Sequence, residues 1–211
     1  MYFDYSCQRK LSIGEPDDHF ESVEAQVFCR PEASERTDVW REILAGQFAG
    51  TRLDLDRVET YGDSVYDVFD ARSSELESLY AQLFDCSSNE ISDAVTDNVV
   101  DEIVYLEHSI IHPALREWRC FLMDHFCNLF GCFAVIAIWD TTSHSTVDLS
   151  DDDLERLGFA KVPGTQLLAR SNAVRTSYNA HIEPRDAYDA VVPDSAAQYV
   201  KDQWSIIVGD S

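Results

Sequence analysis

The chain has 211 residues and a mass of 23.9 kDa, enough to bury a full core as one generous domain or two small ones. Its 16 Lys and Arg stand against 39 Asp and Glu, a formal charge of −23, which argues against nucleic acid or anionic membrane as the main partner, since both demand a cationic face. At 45% hydrophobic and 11% aromatic it is too apolar for a disordered acidic tail.

Residues 1–20 are mixed and polar, with a turn expected at Gly14-Glu15-Pro16-Asp17. From Ser22 to Cys29 the residues Val23, Ala25, Val27 and Cys29 alternate with polar or larger ones, a strand pattern. Residues 40–55 read as a second extended stretch with a glycine break, carrying Trp40, Ile43, Leu44, Phe48, Leu53 and Leu55. Asp70 to Glu75 reads as a helix start with Ser74 as N-cap, followed by an apolar stripe of Leu76, Leu79, Tyr80 and Leu83. A short helix is expected over Glu90–Val95, after the turn signal Ser87-Ser88-Asn89.

Ile103 to Ile111 is apolar and rich in β-branched residues, and His112-Pro113 stops it. Glu117 to Phe130 has helical spacing through Trp118, Phe121, Leu122, His125, Phe126 and Leu129, with Gly131 placed for a left-handed cap. Cys132 to Trp139 reads as a fully buried strand, so residues 103–139 form a βαβ crossover. The apolar run Leu129–Trp139, which includes one glycine, is too short to span a bilayer. Asp148–Leu157 reads as a short acidic helix, Val162 and Gln166–Arg170 as strand. Residues 171–211 read as a polar tail with a helix at Ser195–Asp202 and a strand at Trp204–Val208. The opening MYFDYSCQRK lacks the basic-then-apolar pattern of a secretion signal, so the expected location is cytoplasmic.

Asp outnumbers Glu 24 to 15 and Arg outnumbers Lys 13 to 3. Three readings of this surface compete: adaptation to concentrated salt, mimicry of a nucleic-acid backbone, and ordinary solubility. Scarce Lys favours the first. The six Cys form no CxxC pair and read as reduced, mostly buried thiols. Cys120, His125, Cys127 and Cys132 have the wrong spacing for a zinc finger or ribbon, so no metal is expected. Trp118, Phe121, Phe126, Phe130 and Trp139 read as core, and Ser143-His144-Ser145 lacks an acid partner for nucleophilic work.

The order of strand, His-Pro loop, helix, buried strand, acidic helix, Leu-Gly-Phe and strand resembles the GNAT (general N-acetyltransferase) superfamily. The likeness is carried by Ile111-His112-Pro113-Ala114-Leu115-Arg116 and by Leu154 through Thr165, within about 60–170. The resemblance implies an α/β single domain over 1–211. A mixed, mainly antiparallel sheet flanked by helices would form the core at about 60–170. N-terminal strands would occupy about 20–58 and a C-terminal extension about 171–211.

It also implies an acyl-CoA-dependent N-acyltransferase using acetyl-CoA or another acyl-CoA and an amine acceptor. Glu107 matches the family's strand carboxylate, the catalytic base; a surface role, or pairing with Arg116 or His108, is the alternative. Ile110, Ile111 and the turn Arg116-Glu117-Trp118-Arg119-Cys120-Phe121 match the cofactor-binding segment, where backbone amides take the CoA diphosphate. Two glycine-type positions of that turn hold Arg119 and Phe121, and the family's general-acid Tyr is replaced by Leu154. His108 and His112 flank the loop. The competing expectation is a catalytically inactive, GNAT-derived acidic module that binds a protein partner, with no direct contact to nucleic acid or membrane.

Overall fold

The computed structural model describes residues 1–9, 14–31, 42–85, 88, 90–139, 149–173 and 190–209. Ser143, His144 and Ser145 lie outside the described residues. The strands are β1 (Tyr2–Gln8), β2 (Phe20–Pro31), β3 (Ile43–Asp54), β4 (Phe84–Asp85), β5 (Glu90–Ile91), β6 (Glu102–Ile111), β7 (Ala134–Trp139), β8 (Ala160–Lys161), β9 (Leu167–Ser171) and β10 (Val191–Val192). The helices are α1 (Leu55–Tyr61), α2 (Val65–Arg72), α3 (Ser74–Leu83), α4 (Arg119–Cys127), α5 (Asp151–Arg156) and α6 (Ala196–Gly209), with 3-10 turns at Pro16–His19 and Pro113–Trp118.

The main sheet runs β1-β2-β3-β6-β7-β9-β8, with β10 added to β2. It is mixed and mostly antiparallel: the parallel pairs are β6 with β7, across the α4 crossover, and β10 with β2. Strand alternation divides the core between its two faces. Val23, Val27, Phe48, Val104, Leu106 and Ile136 pack against Leu122, Met123 and Phe126 of α4 and Leu154 of α5. On the other side Leu53, Ile103, Tyr105, Val135 and Ala137 meet Val58, Val68, Phe69, Leu76, Leu79 and Leu83 of α1–α3.

Local chemistry explains the borders. The Asp54 side chain accepts from the Arg57 amide to cap α1, which closes at Gly62 with φ +78°. The cap of α3 is Ser73, not Ser74: its hydroxyl accepts from the Leu76 amide, and Asp70 to Arg72 already belong to α2. The expected helix at Glu90–Val95 is instead strand β5 and a turn. Glu90–Ile91 pair with Phe84–Asp85, and the Ser92 amide bonds Leu83 O at 2.8 Å.

The helix expected from Glu117 begins as an α-helix only at Arg119, the preceding turn being 3-10, and it ends at Asn128 in right-handed conformation. Gly131 is therefore not its cap. A Cβ there would approach Glu102 Oε1 to 3.1 Å, and its amide donates to that oxygen at 2.7 Å. Trp204–Val208 is not a strand but the continuation of α6, whose Ala196, Val200, Gln203, Trp204 and Ile207 form its more sheltered stripe. Of the described Cys, Cys29, Cys120 and Cys127 are buried, whereas Cys7 and Cys132 are exposed, and all five are free thiols. Among the described residues no helix is long and apolar enough to cross a membrane, and no group of His, Cys, Asp or Glu is arranged to hold a metal.

Candidate functional site

The centre of the sheet carries an irregularity. Against β3, Leu106 faces Gly50 and His108 faces Ala49, so Glu107 is an extra residue on β6, a β-bulge. Gly50 is required here: a Cβ would lie 2.4 Å from Tyr105 O. Against β7, β6 pairs only from Glu102–Tyr105 to Ala134–Ala137. Beyond the bulge Leu106–Ile111 have no partner on that side among the described residues, while β7 continues along β9 to Trp139. A bulge bends its strand and raises its twist, and here it lies next to the point where β6 stops pairing with β7.

Beside the parting, Glu107 is half-buried and accepts a 2.5 Å hydrogen bond from Thr51 Oγ1. The buried Tyr105 hydroxyl donates to Glu75 of α3. Burial, that hydrogen bond and the charges of Glu75 and Glu107 drive the phenol far above its ordinary range, so it holds its proton. Trp139 stands 6.5 Å from the Tyr105 ring.

At the far end of β6 the chain turns at His112. Its Nδ1 accepts from the Ala114 amide at 3.2 Å, and burial lowers its pKa, leaving the ring neutral at neutral pH. The 3-10 turn runs directly into α4, and the Arg119 amide donates to Arg116 O. Two clefts adjoin there and share Arg116 and Arg119. One of about 290 Å³ is lined by Ile111, His112, Pro113, Arg116, Arg119 and Tyr199. The other, about 500 Å³, is lined by Arg116, Glu117, Arg119, Cys120, Asp153 and Arg156.

Arg119 is clasped by Asp153 of α5. Burial alone would raise the Asp153 pKa, but hydrogen bonds from Ser150, Cys120 and Arg119, with the Arg119 charge, outweigh it and hold the carboxyl at about 2. Burial, together with the hydrogen bond and charge of Asp153, pushes the Cys120 thiol to about 11, so it is no nucleophile at neutral pH. Arg116 and Arg156 make no ion pair with a carboxylate among the described residues.

Ile111, Arg116, Glu117, Arg119 and Cys120 of the expected cofactor segment thus line the clefts. Trp118 and Phe121 pack against the first core instead, 6.2 Å apart in edge contact, with Phe121 also 6.1 Å from His125. Phe121 therefore does not fill either cleft. Ile110 pairs with Gln47 and lines neither. Leu154 is buried in the first core. His108 and His112, on one face of β6, make edge contacts with Trp204 and Tyr199 of α6 at 6.0 and 5.1 Å.

Sequence reasoning missed Thr51, Glu75, Tyr105, Arg156 and Tyr199. They reach the site from five separate elements, and no spacing signals that convergence. No protein-family model, curated protein or solved structure matches the chain.

Proposed function

We propose that the chain is a GNAT-like N-acyltransferase that moves an acyl group from acetyl-CoA or another acyl-CoA to an amine. The observation that carries this reading is that pairing of β6 with β7 ends at Tyr105, next to the Glu107 bulge, on the strand that runs on to the two arginine-lined clefts. The fit rests on donor chemistry. Guanidinium groups of Arg116 and Arg119 offer forked, charged donors to a diphosphate, replacing the amides of a glycine turn. When bound, the acyl-CoA supplies an activated thioester.

The chain's own residues do the rest. Thr51 fixes one carboxylate oxygen of Glu107, and Glu107 accepts the proton released as the amine attacks, directly or through one water. Tyr105 keeps its proton on Glu75 and acts as a fixed polar wall, not as an acid. As the C–N bond forms the thioester C–S bond would break, and since Leu154 offers no proton the released thiolate would take one from water.

A second reading, a catalytically silent acidic module, draws on one observation. The amide of Arg119 is spent on Arg116 O and its guanidinium on Asp153, so part of the anion site is already satisfied within the chain.

Melting with and without millimolar acetyl-CoA, at low and at molar salt, separates the two. A ligand at a hundred times its Kd adds about 2.7 kcal/mol of stability. A shift at either salt is expected, and its absence at both removes the enzyme. With binding in hand, Glu107→Gln should abolish acyl transfer to amines while leaving the shift intact; undiminished transfer would strip Glu107 of its role as base.

A further inference from the structure

The smaller cleft has a lining of one chemical sense. Arg116 and Arg119 contribute guanidinium groups, Arg119 also pairing with Asp153 of the neighbouring cleft; Ile111 and Pro113 contribute apolar walls, His112 is neutral at neutral pH, and no carboxylate lines the smaller cleft among the described residues. In a chain of net charge −23 such a lining is unusual, and it suits an anion. Five of the six lining residues come from the end of β6, the turn after it and the first residue of α4. The sixth is Tyr199, 80 or more positions on in sequence and one turn into α6.

Tyr199 is held but not used up. Its ring stands on His112 at 5.1 Å and 83°, which fixes its direction. It is 38% exposed, and its hydroxyl has no hydrogen-bond partner among the described residues. α6 packs along β3 and β6, and Trp204 meets His108 further along, so the helix is anchored both on β6 and at the residue just after it.

We infer that α6 belongs to the ligand site, with Tyr199 closing the outer side of the smaller cleft and donating its hydroxyl hydrogen to a phosphate oxygen held by Arg116 and Arg119. This rests on the acyl-CoA reading for the ligand's identity and extends it to a residue outside the segment that carries the family resemblance. The ligand class is a phosphate or diphosphate ester, and Tyr199 is a binding residue with no part in proton transfer.

Calorimetric titration of the full chain with CoA, and separately with inorganic pyrophosphate, tests it. Tyr199→Phe should weaken both about tenfold, the loss of one hydrogen bond to a charged acceptor. Tyr199→Ala should weaken CoA further, about thirtyfold, as the ring contact goes too. Lys201→Ala, on the exposed side of the same helix, should change neither, and the melting temperature of Tyr199→Phe should stay at the wild-type value. Wild-type affinity in both Tyr199 variants overturns the inference and leaves the acyl-CoA reading standing. Weakening of CoA but not of pyrophosphate overturns the phosphate contact. An equal loss in Lys201→Ala assigns the effect to distant charge and overturns it as well. A wild-type chain that binds neither probe overturns inference and reading together.

Discussion

The two halves of β6 are built on opposite plans. From Glu102 to Tyr105 the strand is paired on both sides, β3 on one and β7 on the other, and its side chains are buried. Glu102 locks this half: it takes Arg52 Nε on one oxygen and the Gly131 amide on the other, and Arg52 also reaches the buried Glu21, which binds Arg57 and Arg9. From Leu106 to Ile111 the strand keeps β3 but parts from β7. The lower half is paired by a strand on each side, and the upper half by β3 alone among the described strands. One residue, the extra Glu107, separates the plans.

Gly50→Ala attacks that boundary and should have the largest effect. A methyl group 2.4 Å from Tyr105 O forces β3 and β6 apart, and a loss of about 3 kcal/mol or more in chemical denaturation is expected. Next comes Glu102→Ala. It strands Arg52 beside a reduced partner set and frees the Gly131 amide, so about 2 kcal/mol should go, with the clefts untouched.

Asp153→Asn acts at the far end of the upper half and should cost about 1 kcal/mol at neutral pH. Its carboxyl titrates lower in the folded chain than in the unfolded one, about 2 against 3.8. The stability it contributes is thus complete above the unfolded value and fades as pH falls from about 4 to 2. A pH series of denaturation curves should show that slope reduced in the variant. Thr51→Val is the mildest change, about 0.5 kcal/mol or less. It releases one oxygen of Glu107, so the proposed acyl transfer should fall while the melting temperature barely moves.

Much of the sheet was legible because burial writes itself into alternation and apolar runs. β2, β6 and β7, and the crossover between the last two, lie where periodicity places them. β1 was not legible, since an edge strand with both faces largely exposed has no alternation to show. In α6 the β-branched cluster Ile206-Ile207-Val208 mimics a strand, and only its continuity with Ala196 and Val200 reveals the helical stripe. At the site, Glu107 and the Arg116–Cys120 turn were readable from one contiguous segment. Thr51, Tyr105 and Tyr199 were not, because their placement depends on a register shift and on a helix docking that leave no local trace in composition.

The lock at Glu102 has a mechanical corollary. Above this foot the two strands no longer hold each other, and each keeps its outer neighbour, β3 for β6 and β9 for β7. Sliding β7 along β6 would tear the Glu102–Tyr105 pairing and the Gly131 tether at once, whereas a small rotation about that foot disturbs neither. Any displacement of β7 against β6 is therefore resisted first at this foot, where strand pairing and the Gly131 amide bond act together.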